Sequence, residues 1–425
     1  MMEVEVGRHN VLLARSEGMY SATGNQCTHY GAPLSRGVLS GHNVRCPWHG
    51  ACFNIHTGDL EEYPGMDCLP CHKVGKGRGD KIVRQTKRIK KMVALRLKLC
   101  AETLRQQNFG GRIIMVTRDD LLPYDKTRLS KVMNVESDTI LLRRMEFFQE
   151  YDIEVWLSKE ALSMDTEKKT VTFDDGLVQS YDQLLISTGC RAKGLECPGK
   201  DLQNVMMLET PEDKDIKFYM NDNVKEVRGN NGKVKEVVLK SGTVFPADVL
   251  IVGIGVIPNA EFLQSTPIVM DSRNFVIVDK YMRTNVPDVF CGGDLATFPL
   301  TMAKNQMVNI GHWQMAQAHG RIAALNMLEK NTELNSIPYY WTVLLGKNIR
   351  YAGYGEGYTD IVIKGRVEEQ KFLAFYIKNG EVIAAASLNY DPAVSAVAER
   401  LATGNVITKE EAESNDLSWL KMKLS

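Results

Sequence analysis

The chain has 425 residues, of which 44% are hydrophobic and 24% charged, a composition typical of a globular protein with two or three domains. Fifty-two basic residues balance 52 acidic ones, so no overall field would draw the chain to nucleic acid or to an anionic membrane. No apolar stretch reaches the ~18 residues that a membrane-spanning helix needs.

The chain opens with Met-Met-Glu-Val-Glu-Val, which predicts a strand rather than a signal peptide. Its nine cysteines are spread along the sequence, without the dense framework of small secreted proteins. This cysteine usage favours a reducing compartment, cytoplasmic or mitochondrial, and we expect no targeting segment.

Residues 1–80 form short alternating runs broken by Gly, Pro and Asn, which predicts a small all-β domain. Within it, Cys27-Thr-His29 and Cys46-Pro-Trp-His49 each offer one thiolate and one imidazole. A Rieske centre needs two thiolates on one iron and two imidazoles on the other. We therefore predict a [2Fe–2S] cluster bound by Cys27, His29, Cys46 and His49. A zinc site and a chance grouping of core residues are the alternatives.

Residues 23–65 resemble Rieske ferredoxins through these two pairs and through Phe53-Asn54 and Thr57-Gly-Asp59. The respiratory type of Rieske domain carries an extra cysteine in each loop for a bridging disulfide. This chain has Ala32 and Trp48 near those places. The resemblance thus implies the ferredoxin and oxygenase type, with a reduction potential toward the low end of the Rieske range.

A second motif, Cys68-Leu-Pro-Cys71-His72, matches the pattern for covalent haem attachment. That attachment requires an exported chain and a dedicated ligase, and the motif lies where the β domain needs its closing strand. We interpret the two cysteines as structural thiols, with haem or zinc binding as the alternatives.

Residues 81–96 are strongly basic and predict a solvated linker, with a partner-binding patch as the alternative. From residue 97 the pattern becomes α/β, with a helix over residues 97–107, a strand at Arg112–Val116 and a buried strand in Leu184-Leu-Ile-Ser-Thr-Gly189. Residues 223–245 predict a meander. Residues 333–425 predict an α+β domain of three or four strands followed by helices.

Several segments after residue 97 resemble pyridine-nucleotide-dependent flavoprotein reductases, specifically the Rieske-containing members of the apoptosis-inducing-factor branch. They are Cys100-Ala-Glu-Thr-Leu-Arg105, Leu122-Pro-Tyr-Asp-Lys-Thr-Arg-Leu-Ser-Lys131, Ser187-Thr-Gly189, Thr284-Asn-Val-Pro-Asp-Val-Phe-Cys-Gly-Gly-Asp294, His312-Trp-Gln-Met-Ala316, Tyr339-Tyr-Trp-Thr342 and Tyr351-Ala-Gly-Tyr-Gly-Glu356.

By that resemblance FAD is bound by Lys126, Lys131, Thr188, Gly293, Asp294, His312 and Trp313. The match implies that Asp294 accepts a hydrogen bond from a ribityl hydroxyl at the mouth of the sheet. It also implies that the helix after His312 points its N-terminus at the flavin ring. A plain turn aspartate and a core aromatic are the alternatives for Asp294 and Trp313. The sequence assigns no catalytic residue.

Two parts of the family pattern are missing. The helix at Cys100 is preceded by neither the Gly-x-Gly-x-x-Gly loop that approaches the FAD pyrophosphate nor a clear strand. After Glu209-Thr-Pro-Glu-Asp213 the family inserts a complete NAD-binding domain. Here roughly 60 residues or more of it are absent, at ~30 residues per βαβ unit. Gly253-Ile-Gly-Val-Ile-Pro258 resembles the segment that closes that domain.

The resemblance implies a multi-domain chain. We expect an all-β Rieske domain (1–80), a basic linker (81–96), an incomplete α/β FAD/NAD(P)-binding Rossmann-type reductase fold (97–210 and 248–332), a remnant of the NAD-binding domain (211–247) and a small α+β C-terminal domain (333–425).

Two functional hypotheses follow. In the family, electrons pass from NAD(P)H through FAD to the cluster and then to an acceptor that this sequence does not specify, with apoptosis-related roles in the branch. The chain is then an FAD-dependent oxidoreductase of impaired activity. Alternatively, it is a [2Fe–2S] electron carrier or interaction protein with a vestigial flavin domain. Loss of the glycine loop favours the second hypothesis, because each charge-assisted hydrogen bond is worth about 1.5–3 kcal/mol.

Overall fold

The computed structural model describes residues 1–6, 9–72, 91–95, 98–125, 136–203, 205–207 and 221–420. Along the chain it contains a β domain, an α/β region and an α+β domain, as the sequence predicts. Within these ranges no helix has both the length and the apolar character needed to cross a membrane.

The β domain consists of two antiparallel sheets of four strands each. The first contains β1 (Met2–Val6), β2 (His9–Ser16), β3 (Met19–Gly24) and β8 (Cys71–His72), and the second contains β4 (Val38–Ser40), β5 (Asn43–Arg45), β6 (Cys52–Asn54) and β7 (Leu60–Glu62). In β2, Leu12 and Ala14 point into the core while Arg15 is exposed, because side chains alternate across a strand. β8 pairs with β3, so the Cys71-His72 segment closes the first sheet, as predicted.

The α/β region is centred on a parallel sheet in the order β11-β10-β9-β15-β24. These strands are β9 (Lys91–Leu95), β10 (Arg112–Val116), β11 (Ile153–Trp156), β15 (Gln183–Ile186) and β24 (Val289–Cys291). The helices are α1 (Lys98–Gln106), α2 (Met145–Glu150) and α3 (Trp313–Met327). The region also contains β12 (Ala161–Asp165), β13 (Thr170–Phe173), β14 (Val178–Ser180), β16 (Cys190–Ala192), β22 (Val256–Pro258), β23 (Val276–Ile277), β25 (Ala296–Leu300) and β26 (Gln306–Val308).

Strand β9 corrects the prediction that no clear strand precedes the first helix. It lies in the middle of the sheet, parallel to β10 on one side and to β15 on the other. Met92-Val-Ala-Leu95 is a continuous apolar run of the kind that central parallel strands use. The basic residues on both sides gave this run the composition of a linker. The end of the predicted basic linker, residues 91–95, is therefore part of the sheet.

The region that the sequence predicts to be a remnant of the NAD-binding domain has a small hydrophobic core of its own. The predicted meander is present as β18 (Val224–Asn230), β19 (Lys233–Leu239) and β20 (Val244–Pro246). Beside it, β17 (Val205–Met207) runs parallel to β21 (Leu250–Val252). The segment 209–213, where the missing domain would begin, lies outside the described residues.

The C-terminal domain is an antiparallel sheet in the order β27-β28-β31-β30-β29, followed by helices. Its elements are β27 (Tyr339–Leu344), β28 (Lys347–Gly353), β29 (Asp360–Arg366), β30 (Lys371–Lys378), β31 (Glu381–Leu388), α4 (Ala393–Ala402) and α5 (Lys409–Glu413). It has one strand more than the predicted upper count, because β27 forms a hairpin with β28.

The β domain is joined to the C-terminal domain by a buried group of charges. Arg45 of β5 lies 2.6 Å from Glu62 of the same domain and 2.7 Å from Glu399 of α4. Arg45 also donates to the carbonyl of Gly50, at 2.9 Å. All three charged side chains are largely removed from water, so the two domains share one ion-pair network across their interface.

Candidate iron–sulfur and flavin site

The four predicted cluster ligands lie on two loops of the β domain. Cys27 and His29 follow β3, and Cys46 and His49 follow β5. Each loop is closed by main-chain hydrogen bonds, from Cys27 N–H to the carbonyl of Ala32 and from Cys46 N–H to the carbonyl of Ala51. In the second loop Gly50 has a positive φ of 75°, a conformation that glycine adopts without strain.

The loops bring the donor atoms together in like pairs. Nδ1 of His29 lies 2.9 Å from Nδ1 of His49. The thiols of Cys27 and Cys46 hydrogen-bond to each other. Within the described ranges no three His, Cys, Asp or Glu side chains converge on a single ion. Pairing of sulfur with sulfur and nitrogen with nitrogen suits a two-iron cluster.

Burial sets the protonation of this site. Desolvation lowers the pKa of His29 to about 4 and that of His49 to about 2. Both rings are therefore neutral near pH 7, which is the state that binds metal. The contact with Cys46, together with burial, raises the pKa of Cys27, while the same contact lowers the pKa of Cys46. The first thiolate thus forms most readily on Cys46. The donor set and its neutral imidazoles fit a Rieske cluster.

The three remaining cysteines of the β domain are distinct from this site, and Cys52 is buried in β6. Cys68 and Cys71 are exposed, and Cys71 lies in β8. All nine cysteines of the chain lie in the described ranges, and none forms a disulfide.

Aromatic side chains of the other two domains cover the histidine pair. The ring centroid of His29 is 5.5 Å from Trp313 of α3 and 5.6 Å from Trp341 of β27. Trp341 also lies 5.0 Å from the rings of both His49 and His312. The imidazole end of the cluster site therefore faces the α/β region. Nothing in the sequence around Trp341 had marked it for this role.

A cavity of about 360 Å³ lies next to these aromatics, at the carboxyl ends of the parallel strands. Four of the predicted flavin residues, Gly293, Asp294, His312 and Trp313, line it together. Gly293 has a φ of 74°, and only Ala316 approaches the place where a side chain would stand. The main chain can therefore come close to a ligand at this point.

The helix α3 begins at the wall of this cavity. His312 is its N-cap, and burial lowers the pKa of this ring to about 4. The neutral ring accepts a hydrogen bond from the N–H of Gln314 at 3.4 Å. The side-chain oxygen of Gln317, one turn further, is buried without a hydrogen-bond partner in the described part of the chain. The N-terminus of α3, with the Gln317 oxygen available to accept a hydrogen bond, suits a polar ring system such as a flavin.

Thr188 lines a second cavity, of about 380 Å³, and Thr117 borders both cavities. Lys126 and Lys131 lie outside the described residues. The predicted flavin residues that are described thus occupy two adjoining spaces, within the size range of cofactor pockets.

The pyrophosphate end of the cavity departs from the family pattern. β9 ends at Leu95 and α1 begins at Lys98, and the sequence from 92 to 106 contains no glycine. Lys98, which is 8% exposed, lines the cavity instead and lies 3.2 Å from Glu102. Arg143 also contacts Glu102, at 3.2 Å. The flavin-ring end fits the cofactor, whereas the phosphate end offers a lysine in place of main-chain N–H groups.

Comparison with known proteins agrees with this architecture. Residues 1–73 match the Rieske [2Fe–2S] domain, and residues 339–421 match the reductase C-terminal domain. Residues 99–215 and 204–320, together more than half of the chain, match the pyridine nucleotide-disulphide oxidoreductase model in two successive segments. Apoptosis-inducing factor 3 of Homo sapiens is 42% identical, with 100% of this chain and 86% of the relative aligned.

The chain belongs to the pyridine nucleotide-disulphide oxidoreductase family, in its Rieske-containing apoptosis-inducing-factor branch. The Rieske domain implies a [2Fe–2S] cluster, and the oxidoreductase family implies FAD and NAD(P)H. The alignment with the human relative runs over 521 positions against 425 residues here, so the relative has segments that this family member lacks.

Solved structures of the family share the fold. A ferredoxin reductase for the CYP199A2 system from Rhodopseudomonas palustris has a TM-score of 0.69 at 24% identity, covering 78% of this chain and 98% of its own. The covalent putidaredoxin reductase–putidaredoxin complex has a TM-score of 0.67 at 18% identity, covering 77% and 96%. Similarity at this level of identity shows the shared fold alone.

Proposed function

We propose that this protein carries single electrons between a flavin bound in the α/β region and a [2Fe–2S] cluster bound by Cys27, His29, Cys46 and His49, all within one chain. The observation that carries the proposal is the contact between His29 and Trp313. One ring belongs to the cluster site, the other lines the flavin cavity, and their centroids are 5.5 Å apart. FAD, when bound, supplies the exchange between two-electron and one-electron chemistry.

The residues of the chain have three tasks in this function. The two cysteines and two histidines hold the cluster. Gly293 and Asp294 receive the cofactor where the strand ends, and the N-terminus of α3 favours negative charge beside it. Trp313 and Trp341 exclude water from the space between the two centres, and they keep the separation short.

Hydride transfer from NAD(P)H is the slow step of this function. The remnant of the NAD-binding domain contributes a meander and a pair of parallel strands, so NAD(P)H would be bound poorly. We propose that the chain receives electrons from NAD(P)H slowly, and that its efficient reaction is exchange between flavin, cluster and an external acceptor. With nine cysteines outside disulfides, a reducing compartment suits it, and we place it in the cytoplasm or the mitochondrion.

A second candidate function is electron carriage by the cluster alone. The absence of glycine from the sequence between residues 92 and 106 favours it, because the pyrophosphate loses its main-chain donors. Protein purified with its cofactors separates the two candidates. Flavin absorption equimolar with the cluster supports transfer between two centres, whereas cluster bands without flavin support the carrier.

The transfer itself is tested with Trp313→Leu. Wild type and variant are compared in samples matched for iron and FAD content. After photoreduction of the bound flavin, we expect the variant to reduce its cluster more slowly than the wild type. Trp419→Leu is the control, because Trp419 packs against Phe375 in the C-terminal domain. Equal rates for wild type and Trp313→Leu would refute the proposed route.

A further inference from the structure

A buried cation of the C-terminal domain lies on the side of its sheet that faces the cluster. Arg350 of β28 has only 2% of its side chain exposed. It is the direct cross-strand partner of Trp341 in β27. Directly opposed residues of an antiparallel pair project from the same face of the sheet. Trp341 contacts His49, so Arg350 shares the face that covers this ligand.

A second residue of the same face fixes how closely the sheet covers the ligand loop. Tyr339 lies two positions before Trp341 in β27 and therefore points the same way. A side chain added at Gly50 would come within 2.6 Å of the Tyr339 ring. The Tyr339 hydroxyl lies 3.0 Å from Ser395, which donates to the carbonyl of Cys46 at 3.1 Å. The face that carries Arg350 is thus packed directly on the loop from Cys46 to Gly50.

The two buried arginines near this loop differ in how many carboxylates they contact. Arg45 has two carboxylates, Glu62 and Glu399, within 2.7 Å. Arg350 has one carboxylate within ion-pair distance in the described part of the chain, Asp391, at 3.5 Å.

The other polar contacts of Arg350 are neutral. Its Nη1 donates to the carbonyls of Ile349 and Thr342, at 3.0 and 3.4 Å. Its Nε is buried without a hydrogen-bond partner among the described residues. The charge acts over some distance, because little water reaches Arg350 and its ion pair with Asp391 is long, at 3.5 Å.

We propose that Arg350 raises the reduction potential of the cluster above the value that the Rieske domain sets by itself. Reduction adds one negative charge to the cluster, and a fixed buried cation stabilises the reduced form more than the oxidised form. Net charge around the sulfurs and irons is one of the factors that set the potentials of such clusters. The C-terminal domain thereby helps to set the reduction potential of the cluster, which accepts the electron from the flavin. The inference rests on the cluster site that the proposed function uses.

The test is a redox titration of the full-length, cluster-loaded protein at pH 8, followed by the Rieske electron-paramagnetic-resonance signal. We expect Arg350→Gln to lower the midpoint potential by about 59 mV or more, a tenfold change in the one-electron equilibrium constant. Arg350→Lys keeps the charge and should stay near the wild type. Arg366→Gln is the control, because Arg366 is an exposed cation of the same sheet, paired with Glu369.

A variant of opposite sign separates the charge effect from loosened packing. Asp391→Asn removes the negative partner of Arg350, so we expect a higher midpoint potential. An unchanged or lowered potential in Asp391→Asn overturns the inference, and so does a wild-type potential in cluster-loaded Arg350→Gln. Failure of the proposed function is distinguishable, because it would appear as cluster-loaded protein without FAD or as unchanged transfer in Trp313→Leu, and the cluster potential can still be titrated in both cases.

Discussion

The Rieske domain and the flavin region keep their sites in different ways. In the Rieske domain all four donor residues are present, and main-chain hydrogen bonds hold both loops. In the flavin region the glycine loop is missing, yet a cavity with Gly293, Asp294, His312 and Trp313 remains. The parallel sheet keeps its central strand through main-chain pairing of only five residues, β9. A cavity at the end of a sheet therefore survives loss of the loop that gives it affinity.

The largest expected effect is in the Rieske domain. His49→Ala removes one of two imidazoles from an iron, and we expect complete loss of the Rieske electron-paramagnetic-resonance signal. His42→Ala is the matched control, because His42 belongs to the same domain but contacts His56 and Glu17 instead. A normal signal from His49→Ala protein would refute the ligand assignment.

The interface between the Rieske and C-terminal domains should give the next largest effect. Arg45→Met leaves Glu62 and Glu399 buried without their cation, which costs about 3–5 kcal/mol of unfolding free energy. Arg112→Met breaks an exposed pair with Glu154 and should cost at most about 1 kcal/mol. Urea unfolding of both variants measures the two decreases in unfolding free energy. Equal decreases would show that the buried network is no more important for stability than the exposed ion pair.

The flavin region should respond more weakly, through affinity rather than folding. Lys98 lines the cavity where the pyrophosphate donors are missing. We expect Lys98→Met to weaken FAD binding by about 1.5–3 kcal/mol, roughly 10- to 100-fold in Kd. Fluorescence titration of the flavin-free protein measures it, with the exposed Lys235→Met as control. If both variants bind FAD equally well, Lys98 does not replace the glycine loop.

The smallest effect concerns pH. Burial lowers the pKa of His319, on α3, to about 3, and its Nδ1 accepts from the N–H of Gly293 at 3.1 Å. Between pH 6.5 and pH 3 the unfolded chain therefore binds a proton that the folded chain does not. His319 therefore does not lower the free energy of unfolding above pH 6.5. Between pH 6.5 and pH 5 its effect lowers that free energy by about 2 kcal/mol.

We expect His319→Gln to lack this part of the pH dependence, measured by urea unfolding at pH 7 and pH 5. The exposed His9→Gln is the control and should keep the wild-type difference. The same pH dependence in wild type and His319→Gln would contradict the assignment.

Sequence reasoning was most successful where the signal is local. The turns at 229–232 and 241–242 predicted the meander that the structure contains. The Cys and His spacing predicts the cluster ligands, and the structure brings the two histidine rings together. Sequence reasoning was wrong about β9, because a four-residue apolar run between lysines and arginines has the composition of a linker. Charge outside a strand carries no information about main-chain pairing inside it.

Contacts between distant parts of the chain could not be predicted. Arg45 and Glu399 are separated by 354 positions, and neither residue belongs to a motif. Trp341 is one of several aromatics in its strand, and its contact with His49 depends on how two domains pack. Such contacts follow from tertiary packing alone, so the contacts on which the proposed route rests could not be inferred from the sequence.

The ion pair between Arg45 and Glu399 also has a consequence for synthesis. Arg45 leaves the ribosome hundreds of residues before Glu399 does, and until then Glu62 is the one carboxylate of its described ion pairs that has been synthesised. The Rieske domain can fold early on the nascent chain, but its docked position must wait for the last helices. A protein truncated before residue 399 would have a Rieske domain in which Arg45 lacks Glu399 and the surface that normally packs on the C-terminal domain is exposed to solvent.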